Sequence, residues 1–321
     1  MFIAGAVSPA ALDARMRRSL AHSLDHIHDI AGPRLGVSPA RMADALGHIE
    51  THRIEPGVFG LYFKLVPAIQ ADDLVAARAL IQSIVERASQ SPAFAVNPLS
   101  DEALGADRRL YCELIEAGSD GVGWLGTPAA GAWDGFDRKV DRALAIIAAA
   151  DPALAQELRG LVVRVVGAAS AGDRTFGGAS SLMLWGLLVL NVETYGNVSL
   201  LAEGLVHEAA HLVLFAHSVD EPLVSNPLAD RFASPLRRDA RPMDGVFHAT
   251  FVTARLYRFY RRLRETLADG GHCVPQALIE SKIPTYRARY DDGFATIQRH
   301  GLLTDTGRQI LAETDAYMKA A

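Results

Sequence analysis

The chain has 321 residues, half of them hydrophobic, and a formal net charge of −5. That length allows one large domain or two modest ones around a sizeable core, and the acidic balance excludes a general nucleic-acid binder. Of the 32 basic residues only Lys64, Lys139, Lys282 and Lys319 are lysines, leaving 28 arginines, a usage that suits carboxylate binding.

In chain order, residues 10–150 carry a helical pattern. Apolar residues recur three and four apart over 11–30, 39–51, 71–89, 106–116 and 134–149. Turn signals separate these segments: Gly32-Pro33, Glu55-Pro56-Gly57, Ser91-Pro92 and the glycine-rich stretch 118–131. The character changes after Asp151-Pro152. Residues 161–166 and 182–192 are rich in Val and Leu, bounded by glycines, and predict strands. A helix is expected over 198–217, then a proline-punctuated irregular segment over 218–244. A further helix is expected over 245–267 with Asp244 as its N-cap. The fold expected is mainly α with a small β-sheet, an α+β class. Residues 1–152 are expected as a helical N-terminal region, large enough for peptide recognition, and 153–321 as a zincin-like catalytic region. Cys112 and Cys273 show no ligand spacing and are expected as free buried thiols in a reducing compartment. The N-terminus has no basic stretch ahead of its apolar run, unlike a signal peptide. The strongly apolar run 182–190 is shorter than the roughly 20 residues that span a bilayer. A cytoplasmic protein with no membrane and no nucleic-acid partner is expected; the oligomeric state is not legible.

The chemistry concentrates in the 198–217 helix, which contains His207-Glu208-x-x-His211. Histidines four apart on a helix project from one face, so both imidazoles can reach one metal ion with the glutamate beside its open side. The helix is apolar nearly all round, and buried imidazoles need polar partners or a metal. Two other pairs at this spacing, His22 with His26 and His48 with His52, sit among polar residues and are expected as solvated surface side chains. In zincin-type enzymes an edge strand before such a helix lines the cleft and pairs with a peptide. Residues 186–191 are placed either for that role or as an ordinary buried strand.

A catalytic metal needs a third protein ligand. His217 lies about 240° around the helix from His211 and points elsewhere. His248 is the better candidate, in the first turn of the next helix after the long connection. Arg237, Arg238, Arg241 and Arg255 cluster around it in sequence. A dicarboxylate co-substrate would use such guanidinium groups, because arginine grips a carboxylate bidentately.

Together HEAAH and FASPLRRDARPMDGVFHATFVTARL resemble the H-E-x-x-H peptide-modification family associated with ribosomally made peptide natural products. The resemblance is specific over about residues 180–262. It implies a 2-oxoglutarate- and Fe(II)-dependent peptide β-hydroxylase acting on a precursor peptide, with iron on His207, His211 and His248. It also implies that an arginine holds the distal carboxylate of 2-oxoglutarate, with Arg241 and Arg255 first and Arg238 behind them. Glu208 would then orient the site rather than act as a base. The rival reading is a gluzincin-type zinc peptidase, with Zn(II) and Glu208 as the general base on a bound water.

Overall fold

The computed structural model describes residues 7–117, 123–236, 238–267 and 274–321. The chain is mainly helical with a small mixed sheet of five strands, and it divides into two compact units. One comprises residues 10–137 and 160–196, the other 1–9, 138–159 and 197–321. The change of pattern at residue 152 is one of sequence character; the compact units cross it, because each is assembled from separate stretches of chain.

In the first unit, helices α1 (Pro9–Leu35), α2 (Pro39–Thr51), α3 (Pro56–Gln70), α4 (Leu74–Ala88), α5 (Asp101–Leu104), α6 (Ala106–Glu116) and α7 (Ala130–Trp133) accompany the sheet. The strands are β1 (Ala95–Pro98), β2 (Leu125–Gly126), β3 (Arg164–Ser170), β4 (Gly178–Ala179) and β5 (Leu187–Asn191). Strands β1, β3 and β5 run parallel, β4 joins β5 antiparallel, and β2 pairs with the end of β3. The role of 186–191 as a free edge strand is corrected here. β5 is interior, with β3 along its whole length and β4 at Val189 and Leu190, and all five residues are buried. Its unbroken apolar run is what a parallel strand covered on both faces requires. Gly186 leads into β5 at φ +86, where a side chain would meet Val163. Leu110, Tyr111, Leu114, Val166 and Val189 pack between α6 and the sheet.

Several local expectations change for identifiable reasons. Glu55-Pro56-Gly57 opens α3 instead of forming a loop, since Pro56 sits at its first position, where a missing N–H costs nothing. Gly32-Pro33 lies inside α1, which runs on to Leu35 before Gly36 turns at φ +73. Residues 161–163 close a helix and lead into β3, and Leu182–Leu184 form a 3-10 turn ahead of β5. Of the expected thiols, Cys112 is free and half-buried, and Cys273 lies outside the described residues.

The second unit is built from α8 (Phe136–Ala150), α9 (Pro152–Leu161), α10 (Val198–His217), α11 (Met243–Leu267), α12 (Gln276–His300) and α13 (Asp305–Ala320). α10 has the length and mean hydropathy, 1.4, of a membrane span, yet 67% of its most apolar stretch is buried in the folded chain. Fully burying each of its Leu and Val side chains contributes about 1.5–3 kcal/mol. Two buried ion pairs clip α11 to the α8–α9 segment. Arg255 bonds Glu157, and Arg258 bonds Asp151 at 2.6 and 3.0 Å.

The described residues of the 218–244 segment are held by hydrogen bonds. Ser225 and Asn226 bond the backbone at His300 and Leu302, and Thr304 and Thr306 bond Leu223 and Glu221. Phe232 and Arg241 then exchange both backbone hydrogen bonds at 2.8 Å. That exchange draws residues 233–236 and 238–240 into a loop directly before α11.

Candidate metal centre

α10 starts cleanly because the Asn197 side chain accepts from the Ser199 amide at 2.7 Å. Leu201, Leu205, Val206, Leu212, Val213 and Leu214 are at most 1% exposed, which anchors the helix on nearly every side. His207 and His211 then stand one turn apart with ring centroids separated by 5.2 Å. α11 runs antiparallel to α10, because His211 meets His248 while Glu203, earlier on α10, meets Tyr260, later on α11. The His211 and His248 rings are nearly parallel at 5.3 Å, and their Nδ1 atoms lie 3.0 Å apart. Phe215 flanks both rings at 6.2 and 5.5 Å and closes the apolar side.

The electrostatics favour neutral imidazoles. Burial, and then the neighbouring rings of His207 and His248, hold His211 well below the ordinary imidazole range. Burial also lowers His248, and the Asp244 charge only partly offsets it. A neutral imidazole has one lone pair to give, which is the form that ligates a metal. The 3.0 Å separation suits either a hydrogen bond between the two rings or two lone pairs directed at one cation. Two nitrogens each about 2.1 Å from one ion at right angles would stand about 3.0 Å apart. His211 and His248 therefore fit a shared metal.

The other donors are arranged less tightly. The His207 side chain is 31% exposed, and its Nε2 lies 3.9 Å from a carboxylate oxygen of buried Glu208. His248 Nε2 lies 3.9 Å from Asp244. Both separations exceed hydrogen-bond length, and each carboxylate stands near the ring nitrogen that an orienting partner of a ligating histidine would meet. Among the described residues no group of three or more His, Cys, Asp or Glu side chains stands ready-made around a metal position.

Asp244 does not cap α11. The helix begins at Met243, so Asp244 falls in its first turn, where its charge suits the helix dipole and faces His248. The D-x-x-x-H spacing could have indicated that contact. His217 is buried at the end of α10, outside the cluster of the three other rings. His22 and His26 are exposed, while His48 stacks on His52 at 4.2 Å, and burial followed by the His52 charge lowers its pKa.

The arginines separate. Arg255 is 2% exposed and its guanidinium bonds Glu157. Arg241 sits half-buried at the base of the loop before α11, its Nε 2.8 Å from Asp239. Arg238 is exposed on that loop, and Arg237 lies outside the described residues. One feature lacked any sequence signal: Glu203, one turn before His207, gathers Tyr260, Tyr286 and Lys282 around its carboxylate. Those partners are 57 to 83 residues away in sequence. Compared with known proteins, the chain matches no protein-family model and no curated protein.

Proposed function

We propose that the chain is an Fe(II)- and 2-oxoglutarate-dependent hydroxylase acting on a side chain, at Cβ, of a ribosomally made peptide. The observation that carries this reading is the meeting of His211 and His248, 37 residues apart in sequence, as neutral buried imidazoles with nitrogens 3.0 Å apart. His207 is the third ligand, brought in by turning a ring that is already a third exposed. The zincin-like character of the fold belongs to the same proposal: a motif helix, an ordered connection, and a further helix that supplies the last ligand. When bound, iron with 2-oxoglutarate supplies activation of dioxygen and oxidation of a C–H bond, with succinate and carbon dioxide as by-products.

The residues around the centre have separable tasks. His207, His211 and His248 bind, and Phe215 excludes water from the far side of the rings. Glu208 and Asp244 orient His207 and His248. Arg241 is the first choice for the distal carboxylate of 2-oxoglutarate, with Arg238 second, since both belong to the loop that delivers α11. Arg255, sequestered with Glu157, supports α11 from its buried side. The large first unit is the candidate for peptide recognition, and the resemblance over residues 180–262 supplies the peptide substrate.

A zinc peptidase is the second reading, favoured by buried Glu208 standing beside His207. Anaerobic loading with Fe(II) or Zn(II), then addition of oxygen, 2-oxoglutarate and the precursor peptide, separates the two. The hydroxylase gains one oxygen atom on the intact peptide and forms equimolar succinate. Cleavage of the peptide by the zinc form, lost in Glu208→Gln, would replace this proposal with the peptidase.

A further inference from the structure

Glu203 is an unexpected residue in so apolar a helix. It lies four residues before His207, about 6 Å along the axis at 1.5 Å per residue. Its Oε1 accepts from the Tyr286 hydroxyl at 2.7 Å, and its Oε2 accepts from the Tyr260 hydroxyl and from Lys282 Nζ at 2.6 Å. Tyr260 belongs to α11, the helix of His248, and Tyr286 and Lys282 belong to α12. The two phenol rings stack at 5.9 Å, with Lys282 Nζ 5.9 and 5.6 Å from their centroids. Tyr260 is fully buried and Tyr286 is 3% exposed. Burial, then the Glu203 charge, raises the Tyr260 pKa, so its hydroxyl remains a donor.

A partly buried carboxylate costs desolvation that a leucine at this position would avoid. What it adds is direction. Apolar ridges in grooves tolerate small axial slips, whereas hydrogen bonds of fixed length do not. Buried polar groups are best attested where they fix register. The quantity that needs fixing lies farther along the same seam: His211 and His248 must meet to 3.0 Å. A slip of α11 by one residue, about 1.5 Å, would part them.

We infer that Glu203 is a positioning residue: by gathering Tyr260, Tyr286 and Lys282 it sets the axial register of α10 against α11 and α12, and so brings His207 and His211 opposite His248. The inference rests on the reading of those histidines as metal ligands. It is tested on the full metal-free chain by Co(II) titration, following affinity and ligand-field absorption, alongside thermal unfolding. Glu203→Gln, folded, should bind Co(II) at least about tenfold more weakly with an altered absorption band, as loss of an outer partner does. Tyr286→Phe should move both readouts the same way by less, and the double variant should fall short of the sum of the two. An unchanged Co(II) affinity and band in folded Glu203→Gln would overturn the inference. Should that variant not fold, Tyr286→Phe decides alone, since it removes a single hydroxyl. A wild-type chain that binds no Co(II) removes the metal reading and this inference together. A wild type that binds, with variants that match it, removes only the register claim.

Discussion

That His211 would meet His207 and His248 was legible in the sequence, because four-residue spacing on a helix and a histidine early in the next helix are local facts. Their detailed arrangement was not legible. The Nδ1–Nδ1 contact and the lowered pKa values arise from packing between two helices. Arg255 shows the limit most clearly. Its closeness to His248 in sequence suggested a co-substrate role, but its partner Glu157 lies 98 residues away, and no local pattern announces that. At this scale His248→Ala should weaken Co(II) or Fe(II) binding by about a hundredfold or more, measured by chelator competition. Glu208→Gln should weaken metal binding by only about tenfold, the low end of the loss expected of an orienting partner. Equal loss of metal in both variants would place Glu208 among the direct ligands.

Among the elements, α10 and α2 match their expected spans, because a capping side chain and apolar periodicity coincide there. The helix α3 was missed because Glu55-Pro56-Gly57 is equally a turn signal and a helix opening. β5 was legible as a strand, but its neighbours in the sheet depend on long-range pairing. The element most exposed to single changes is α11. Gly293 of α12 faces Thr250, two residues beyond His248, and a Cβ there would overlap Thr250 Oγ1 and approach Pro235 Cγ to 2.9 Å. Gly293→Val should destabilise the chain by about 1–3 kcal/mol, the usual cost of overpacking, and weaken metal binding through α11; denaturant unfolding with Co(II) titration checks both. Arg258→Met strands Asp151 as a buried, unpaired carboxylate. It should cost about 3–5 kcal/mol in the same unfolding assay. A loss below about 1 kcal/mol would show that the Asp151 carboxylate finds water instead.

For the whole molecule, the division into two non-contiguous units follows from such long-range clips and was hidden from a linear reading. It also bears on acid stability. Burial acts to raise the Asp151 pKa, but the Arg258 hydrogen bonds and charge and the Leu154 amide outweigh it, so the folded value is lowered. Its contribution is therefore present above the unfolded value of about 3.9 and is lost as pH falls through the lowered folded value. Asp151→Asn should be less stable at neutral pH yet lose less stability on acidification to about pH 3. Parallel stability curves for variant and wild type would contradict that.

The central claim concerns where an oxygen atom goes. Incubation of the Fe(II)-loaded chain with 2-oxoglutarate and precursor peptide under isotopically heavy dioxygen, read by mass spectrometry, follows it directly. The account predicts one heavy atom in an uncleaved peptide and the other in succinate, both abolished in His248→Ala. Peptide fragments carrying oxygen from unlabelled water, or an unmodified peptide in the presence of a fully loaded iron site, would contradict it.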